Sequence, residues 1–464
     1  MLSKETIQLV LSRALSTGGD FAEIFVEDRI DNRITILDGK TENVIGGKTF
    51  GVGIRILKKF KSVYAYTNSF DMTSLLETAQ KAALALGELK EDIEVNVTER
   101  IITNIHPILY VPSSVSAGKK IEIAKTAFNA AKDYSNEIKT VRSTFIDADQ
   151  KVLIANSDGL LVEDRRMLSR LLISSVASNG VENQTGTEGP GARKGIELFE
   201  SIDPEYYGRE ASKTAVTMLH AKNCPAGKMM VAIENGFGGV IFHEACGHSL
   251  EASSIAKGNS EFCDKLGRQI ASTKVTAIDD GTMPNLWGSI NIDDEGTPAK
   301  RNVLIENGIL KTYLIDKLNG RRMDMESTGS SRRESYQFAP TSRMTNTYIA
   351  NGNDNNEEII ASISDGLYAK KMGGGSVNPI TGEFNFAVLE GYLVKGGVIQ
   401  EPVRGATLIG KGSEVLMNID MVGTNLEQGQ GMCGASSGSI PTNVGQPLIR
   451  VSEMVVGGIA EEGN

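Results

Sequence analysis

MMVAIENGFGGVIFHEACGHSLE, Met229 to Glu251, holds two of the four histidines in this 464-residue chain. Met229–Ile233 reads as a short strand. Glu234-Asn235-Gly236 is a glycine-bearing turn, and a helix opens behind it. Within that helix the spacing is H-E-x-x-x-H, one residue longer than the H-E-x-x-H of zinc peptidases. Residues four apart lie about 40° apart around a helix of 3.6 residues per turn, whereas residues five apart lie about 140° apart. On a regular helix His243 and His248 would therefore point away from each other. Gly247 stands just before the second histidine, and a π-bulge or kink there absorbs one residue and turns the rings together. The spacing predicts a bulged helix between His243 and His248.

Glu244 follows the first histidine, where a general base would take a proton from a water on the metal. A catalytic zinc uses three protein ligands and one open position, so a third ligand is required. Cys246 and Glu251 are near in sequence. Cys433 is distant, in the turn-rich GQGMCGASSG. Spacing leaves the three open. The literal G-x-G-x-x-G of Gly429–Gly434 is not a dinucleotide site, because ASSGSIPTNVG after it is a poor helix former.

Outward from this segment, the C-terminal half reads as short strands and tight turns. Asn302–Glu306 and Ile309–Leu314 flank Asn307-Gly308, and Tyr392–Lys395 and Val398–Glu401 flank Gly396-Gly397. Thr407–Ile409 and Val415–Ile419 read as further strands. That pattern points to a barrel or strongly curved sheet. Toward the N-terminus, helices are expected over residues 3–17, 71–86 and 116–134, capped by Ser3, Asp71 and Ser116, and from Asp203-Pro204 to His220, with proline at N1. Between them lie strands: Glu27–Leu37 with a turn at Asp38-Gly39, Val52–Ile56, Val63–Tyr66, Val141–Ile146, Lys151–Ala155, Leu160–Glu163 and Leu168–Ala177. The stretch 178–196, rich in Gly, Asn and Thr, is a long loop or a hairpin tip. The fold class is α+β: an N-terminal α+β domain with an antiparallel sheet (1–222), then a β-rich catalytic domain carrying the metal-binding helix (223–464).

Bulk composition narrows the function. Net charge is −10 and the sequence pI about 5.2, a poor match to nucleic acid or an anionic membrane. No apolar run approaches the roughly 18 residues of a membrane helix. MLSKETIQLV lacks the basic start and apolar core of a signal peptide. Four cysteines make no disulfide framework in a chain this long. A cytoplasmic protein with reduced thiols is expected.

The sequence resembles the TldD/PmbA family of metallopeptidases, on the TldD side. The resemblance is carried by HEACGHSLEA from His243, RMTNTYIANG from Arg343, KMGGGSVNPITGEFNFAV from Lys371, EGYLVKGG from Glu390, and GMCG with GQPLIRV near the end. It implies one Zn²⁺ per chain on His243, His248 and Cys433, with Glu244 as general base. It further implies peptide substrates, in trimming or degradation of unfolded peptides or in leader-peptide removal. It also implies a dimer, either of like chains or with a PmbA-type chain that lacks the metal helix. The family's link to DNA gyrase gains no support from this acidic composition, so no direct nucleic-acid contact is expected.

An extended peptide can add as a strand to an exposed sheet edge. KMGGGSVNP, with Gly373 and Gly374, or RMTNTYI could supply that edge. Arg343, Asn346 and Tyr348 are candidates for substrate or oxyanion contact. Two other readings share the residues. One is a peptide-binding or partner subunit whose zinc is closed by a fourth protein ligand, and the other is an amidase acting on a small molecule.

Overall fold

The computed structural model describes residues 1–90 and 93–459. Its first sheet runs in the order Lys61–Thr67, Lys40–Lys58, Phe21–Leu37, Ile138–Asn156, Leu160–Ser178, all antiparallel. Thr98–Arg100 adds a parallel edge. Helices Lys4–Leu15 and Met72–Leu84 pack on one end of one face, and Ala117–Lys132 and Pro204–Leu219 on the other end. The expected caps Ser3, Asp71 and Ser116 are in place, and Asp203, just before the N1 proline, is a fourth; each accepts a hydrogen bond from a backbone N–H of the first turn. The strand FAEIFV, Phe21–Val26, is buried on both faces. Ala22, Ile24 and Val26 meet the helices, while Phe25 meets Ile292 and Tyr336 of the C-terminal half.

Two expected breaks in the sheet do not exist. Ile138–Asn156 is one strand rather than two, and so is Leu160–Ser178. Several charged residues inside these two strands have partners. Lys120 reaches Asp147 at 2.5 Å and Arg165 reaches Asp149 at 2.7 Å. Arg166 bridges Asp164 at 3.1 Å and Asp294 at 2.6 Å, joining the sheet to the C-terminal half. Buried Glu23 extends this join, receiving Arg55 at 2.8 Å and Arg333 at 2.5 Å. The stretch 178–196 is a hairpin tip, with strand Asn183–Glu188 folding back on Leu160–Ser178.

The C-terminal half contains a closed five-stranded barrel. Gly227–Ile233, Ile449–Gly457, Thr407–Lys411, Glu383–Lys395 and Asp365–Val377 pair in a ring. Beside it lies a six-stranded sheet that ends in the hairpin Gly438–Gln446 and Glu427–Ala435, with the latter at the edge. Val415–Ile419 is not a strand. Gly412–Asn418 is a helix that buries Val415 and Leu416, and Ile419 starts the next strand. That helix seats against the histidine segment, because a Cβ at Gly412 would lie 2.0 Å from the Ala245 carbonyl oxygen. The histidine segment itself packs between the barrel and the six-stranded sheet. No described helix is long and apolar enough to cross a membrane.

Candidate metal centre

The helical run starts as a 3₁₀ turn at Gly236–Gly239 and becomes α-helical over Val240–Phe242. It widens to a π-turn over His243–Gly247, then tightens to 3₁₀ over His248–Leu250. The π-turn takes up the extra residue of H-E-x-x-x-H. The two imidazoles converge, with ring centroids 4.9 Å apart and planes 83° apart. Gly247 has ordinary helical angles, φ −54° and ψ −52°, so its conformational freedom is not what the site uses. It is needed for space: a Cβ there would sit 2.3 Å from Met344 Sδ.

Cys433 comes from the edge strand Glu427–Ala435, a regular strand where the sequence suggested turns. Its Sγ lies 3.3 Å from His243 Nε2 and 3.2 Å from His248 Nε2. A tetrahedral zinc with bonds near 2.0–2.1 Å to nitrogen and 2.3 Å to sulfur holds such atoms about 3.5 Å apart. Opening by a few tenths of an ångström would seat the ion, so the donor set fits it in both chemistry and spacing. Among the described residues this trio is the group of histidine, cysteine and acidic side chains close enough to share a metal.

The electrostatics suit a metal thiolate. Burial alone would raise the Cys433 thiol, but His243 and then His248 outweigh it and bring its pKa down to about 3. Burial also opposes charge on His248. Glu251 and then Cys433 overcome it and hold the imidazole pKa well above its ordinary value. Cys246 is the opposite case, with its thiol pushed well up by complete burial and by Glu261. It is absent from the trio.

Supporting groups stand behind the trio. Glu251 Oε2 lies 3.2 Å from His248 Nδ1, which fixes the ring so that Nε2 is the nitrogen that faces Cys433. Arg343 is fully buried, and its guanidinium donates to the Cys433 carbonyl oxygen (2.5 Å), Ser437 Oγ (2.8 Å) and the Gly438 carbonyl oxygen (2.9 Å). Its Nε is also 3.9 Å from Glu251 Oε1, so one arginine touches the supports of two of the three groups. These two roles escaped the sequence reading. The placement of Glu251 three residues after His248, one turn along, was the available signal. His243 Nδ1 is buried with no hydrogen-bond partner among the described residues.

Glu244 is half-exposed on the same turn, its Oε2 3.8 Å from His248 Nε2. Asn346 and Tyr348 stand on the central strand Asn346–Ile349, which also contacts the π-turn, but their polar atoms have other partners. The Asn346 amide donates to the Asp280 carbonyl oxygen and Ser289 Oγ, and Tyr348 is buried there, its hydroxyl pKa raised chiefly by that burial. Gly373 and Gly374 form a bulge in barrel strand Asp365–Val377, which passes the π-turn. Nothing stands within 4 Å of where a Gly374 Cβ would be.

Three family models match in order. They are the PmbA/TldA metallopeptidase domain 1 (residues 22–86), the central domain (110–219) and the C-terminal domain (226–458). A Haemophilus influenzae protein named metalloprotease TldD homolog is 36% identical, covering 98% of this chain and 97% of its own. A Saccharolobus solfataricus protein named zinc metalloprotease TldD homolog is 25% identical over 97% of this chain and 99% of its own. Two solved structures share the fold. One is a Thermotoga maritima protein described as a candidate modulator of DNA gyrase (TM-score 0.80, 22% identity, 98% and 99% coverage). The other is TldE from Thermococcus kodakarensis (0.77, 19%, 98% and 100%). From the matched domains and the near-full-length relatives, the chain belongs to the TldD/PmbA family.

Proposed function

We propose that the chain is a zinc-dependent peptidase that hydrolyses unfolded or short peptides, with the catalytic groups in residues 223–464. The observation that carries the reading is the convergence of His243, His248 and the low-pKa Cys433 thiol, all ligand atoms within 4.8 Å, beside the Glu244 carboxylate. Those three residues would hold one zinc per chain, and the metal would supply Lewis acidity to the substrate carbonyl and to the attacking water. Glu244 takes the proton from that water and returns it to the leaving amine nitrogen. Glu251 and Arg343 hold His248 and Cys433 in place throughout.

A closed, structural zinc would need a fourth protein ligand. Glu251 engages the far nitrogen of His248, and Cys246 is outside the trio, which favours an open fourth position. A peptide route is available beside the site. Strand Asp365–Val377 pairs with Gly227–Ile233 only as far as Ala369. Beyond that point its outer edge, including the Gly373–Gly374 bulge, is free among the described residues to take an extended peptide through main-chain hydrogen bonds. The free cysteines suit a cytoplasmic setting. A dimer of like chains, or with a PmbA-type chain, is the assembly proposed, and the fold shared with TldE supports it.

The decisive experiment is Glu244→Gln. Zinc content should match wild type while hydrolysis of an unfolded-peptide library falls about 10²- to 10⁴-fold. Full activity in that variant would overturn the mechanism.

A further inference from the structure

A cavity of about 870 Å³ lies between the first sheet and the Cys433 hairpin. Seven arginines and four carboxylates line it, an excess of positive charge in a chain of net charge −10. We infer that this cavity is a subsite for a carboxylate of the peptide substrate, gripped between Arg33 and Arg170; the inference rests on the peptidase reading above.

The strand register builds the clamp. Arg33 pairs with Ile146 on the next strand, and Ile146 pairs with Arg170 on the one after. The three side chains therefore stand in one row on one face, with Ile146 between two cations. Strands about 4.8 Å apart put the two arginine backbones about 10 Å apart, so both side chains can reach a carboxylate whose stem rests on Ile146.

Most cations of the cavity already have partners. Arg29 pairs with Asp31 at 2.7 Å, Arg166 with Asp294 at 2.6 Å, Arg333 with Glu23 at 2.5 Å, and Arg193 faces Asp164 at 3.6 Å. Arg33 and Arg170 have no carboxylate partner among the described residues. Arg332, also lining the cavity, donates among the described residues only to the Met344 carbonyl oxygen at 2.8 Å. Arg170 is partly buried, over the Trp287 ring at 5.2 Å, and desolvation without a counter-charge brings its pKa down to about 10. A guanidinium held out of water with no counter-ion is costly, and an arriving carboxylate removes that cost.

The clamp is tied to the metal centre through one strand. Arg170 lies 3.4 Å from the Gln430 carbonyl oxygen, and Trp287 Nε1 donates to that of Gly431 at 2.9 Å. Cys433 follows on the same strand, three residues past Gln430. Three extended residues span about 10 Å. Met432 lines the cavity and its neighbour Cys433 points to the other face of this edge strand, so a peptide with its scissile bond at Glu244 and Cys433 would round the strand's outer edge to place a residue several positions away in the clamp. The carboxylate can be an Asp or Glu side chain or the peptide's own C-terminus.

The test uses the full zinc-loaded chain carrying Glu244→Gln, so that binding is read without turnover. Fluorescence anisotropy compares labelled peptides that differ by one group: internal Glu against Gln with amidated ends, and a free against an amidated C-terminus. A carboxylate in the clamp should tighten binding about tenfold or more over its neutral twin. The arm that shows the preference assigns side chain or terminus. In Arg33→Gln, an exposed position safe for folding, and in Arg170→Gln, checked by thermal melting, the acidic-to-neutral ratio should fall toward one. Equal binding of acidic and neutral twins, no binding of any peptide, or a ratio unchanged in both variants overturns the subsite. A single-stranded oligonucleotide that competes as well as the acidic peptide also overturns it, in favour of phosphate. Preference without hydrolysis by the wild-type chain would remove the peptidase reading and leave the subsite standing. Hydrolysis without preference would do the reverse.

Discussion

The two sides of the candidate metal centre are built in opposite ways. His243, Glu244 and His248 lie within six residues, and one π-turn brings the two rings together. Cys433 stands 185 residues beyond His248, on the edge strand of a separate sheet. Its position depends on contacts from distant parts of the chain: Arg343 on its carbonyl oxygen, Trp287 on Gly431 and Arg170 on Gln430. The first side is specified by hydrogen-bond register within a helix. The second is specified only when the tertiary structure is complete. Local geometry can therefore survive damage that releases the distant ligand, and the two can be separated by mutation.

The largest effect should come from removing the distant side. Cys433→Ala leaves the π-turn intact but deprives the site of its only thiolate. Zinc affinity should drop by more than about 100-fold, beyond what loss of a supporting group costs, and peptide hydrolysis should go with it. Competition against a chromophoric chelator reads this directly. Undiminished affinity would mean that the metal is held by the helical segment alone, with Cys246 or another group as its third ligand.

A smaller loss is expected from the support of the near side. Glu251→Gln keeps a hydrogen-bond acceptor beside His248 Nδ1 but removes the charge. Loss of such supporting carboxylates costs roughly 10- to 100-fold in metal affinity. The same titration should place this variant between wild type and Cys433→Ala. If it binds zinc as tightly as wild type, the Arg343–Glu251–His248 line is packing rather than tuning.

The same contrast explains what could be read from sequence. Helices with a capping side chain and a 3.6-residue period were legible to within a residue or two, because both signals are local. Asp38-Gly39 and Asn307-Gly308 marked turns for the same reason, each occupying the left-handed region. The strands through Asp147–Asp149 and Asp164–Arg166 were read as broken, because charged residues inside a strand signal a turn unless a partner is known. Here the partners are Lys120 and Asp294, far away in sequence. Val415–Ile419 was misread because its burial is set by the helix seating on Ala245, not by alternation. The H-E-x-x-x-H bulge was legible from angle arithmetic alone. The work of Arg343 was not: the reading offered it to the substrate, whereas all its hydrogen bonds go to the Cys433 hairpin.

Gly247 probes the near side most finely. The sequence argument gave it a conformational role, but the structure gives a steric one, because Met344 Sδ occupies the space a Cβ would need. Gly247→Ala should therefore cost about 1–3 kcal/mol through overpacking, despite the better helix propensity of alanine. The methionine is flexible, so the loss should be largely recovered when Met344 is shortened as well. Denaturant unfolding of Gly247→Ala, Met344→Ala and the double variant gives the coupling between the two sites. A stabilising coupling in the double variant, with zinc affinity near wild type, is the expected outcome. Additive losses would show that the π-turn needs glycine for its backbone after all, and would return the explanation to the one the spacing first suggested.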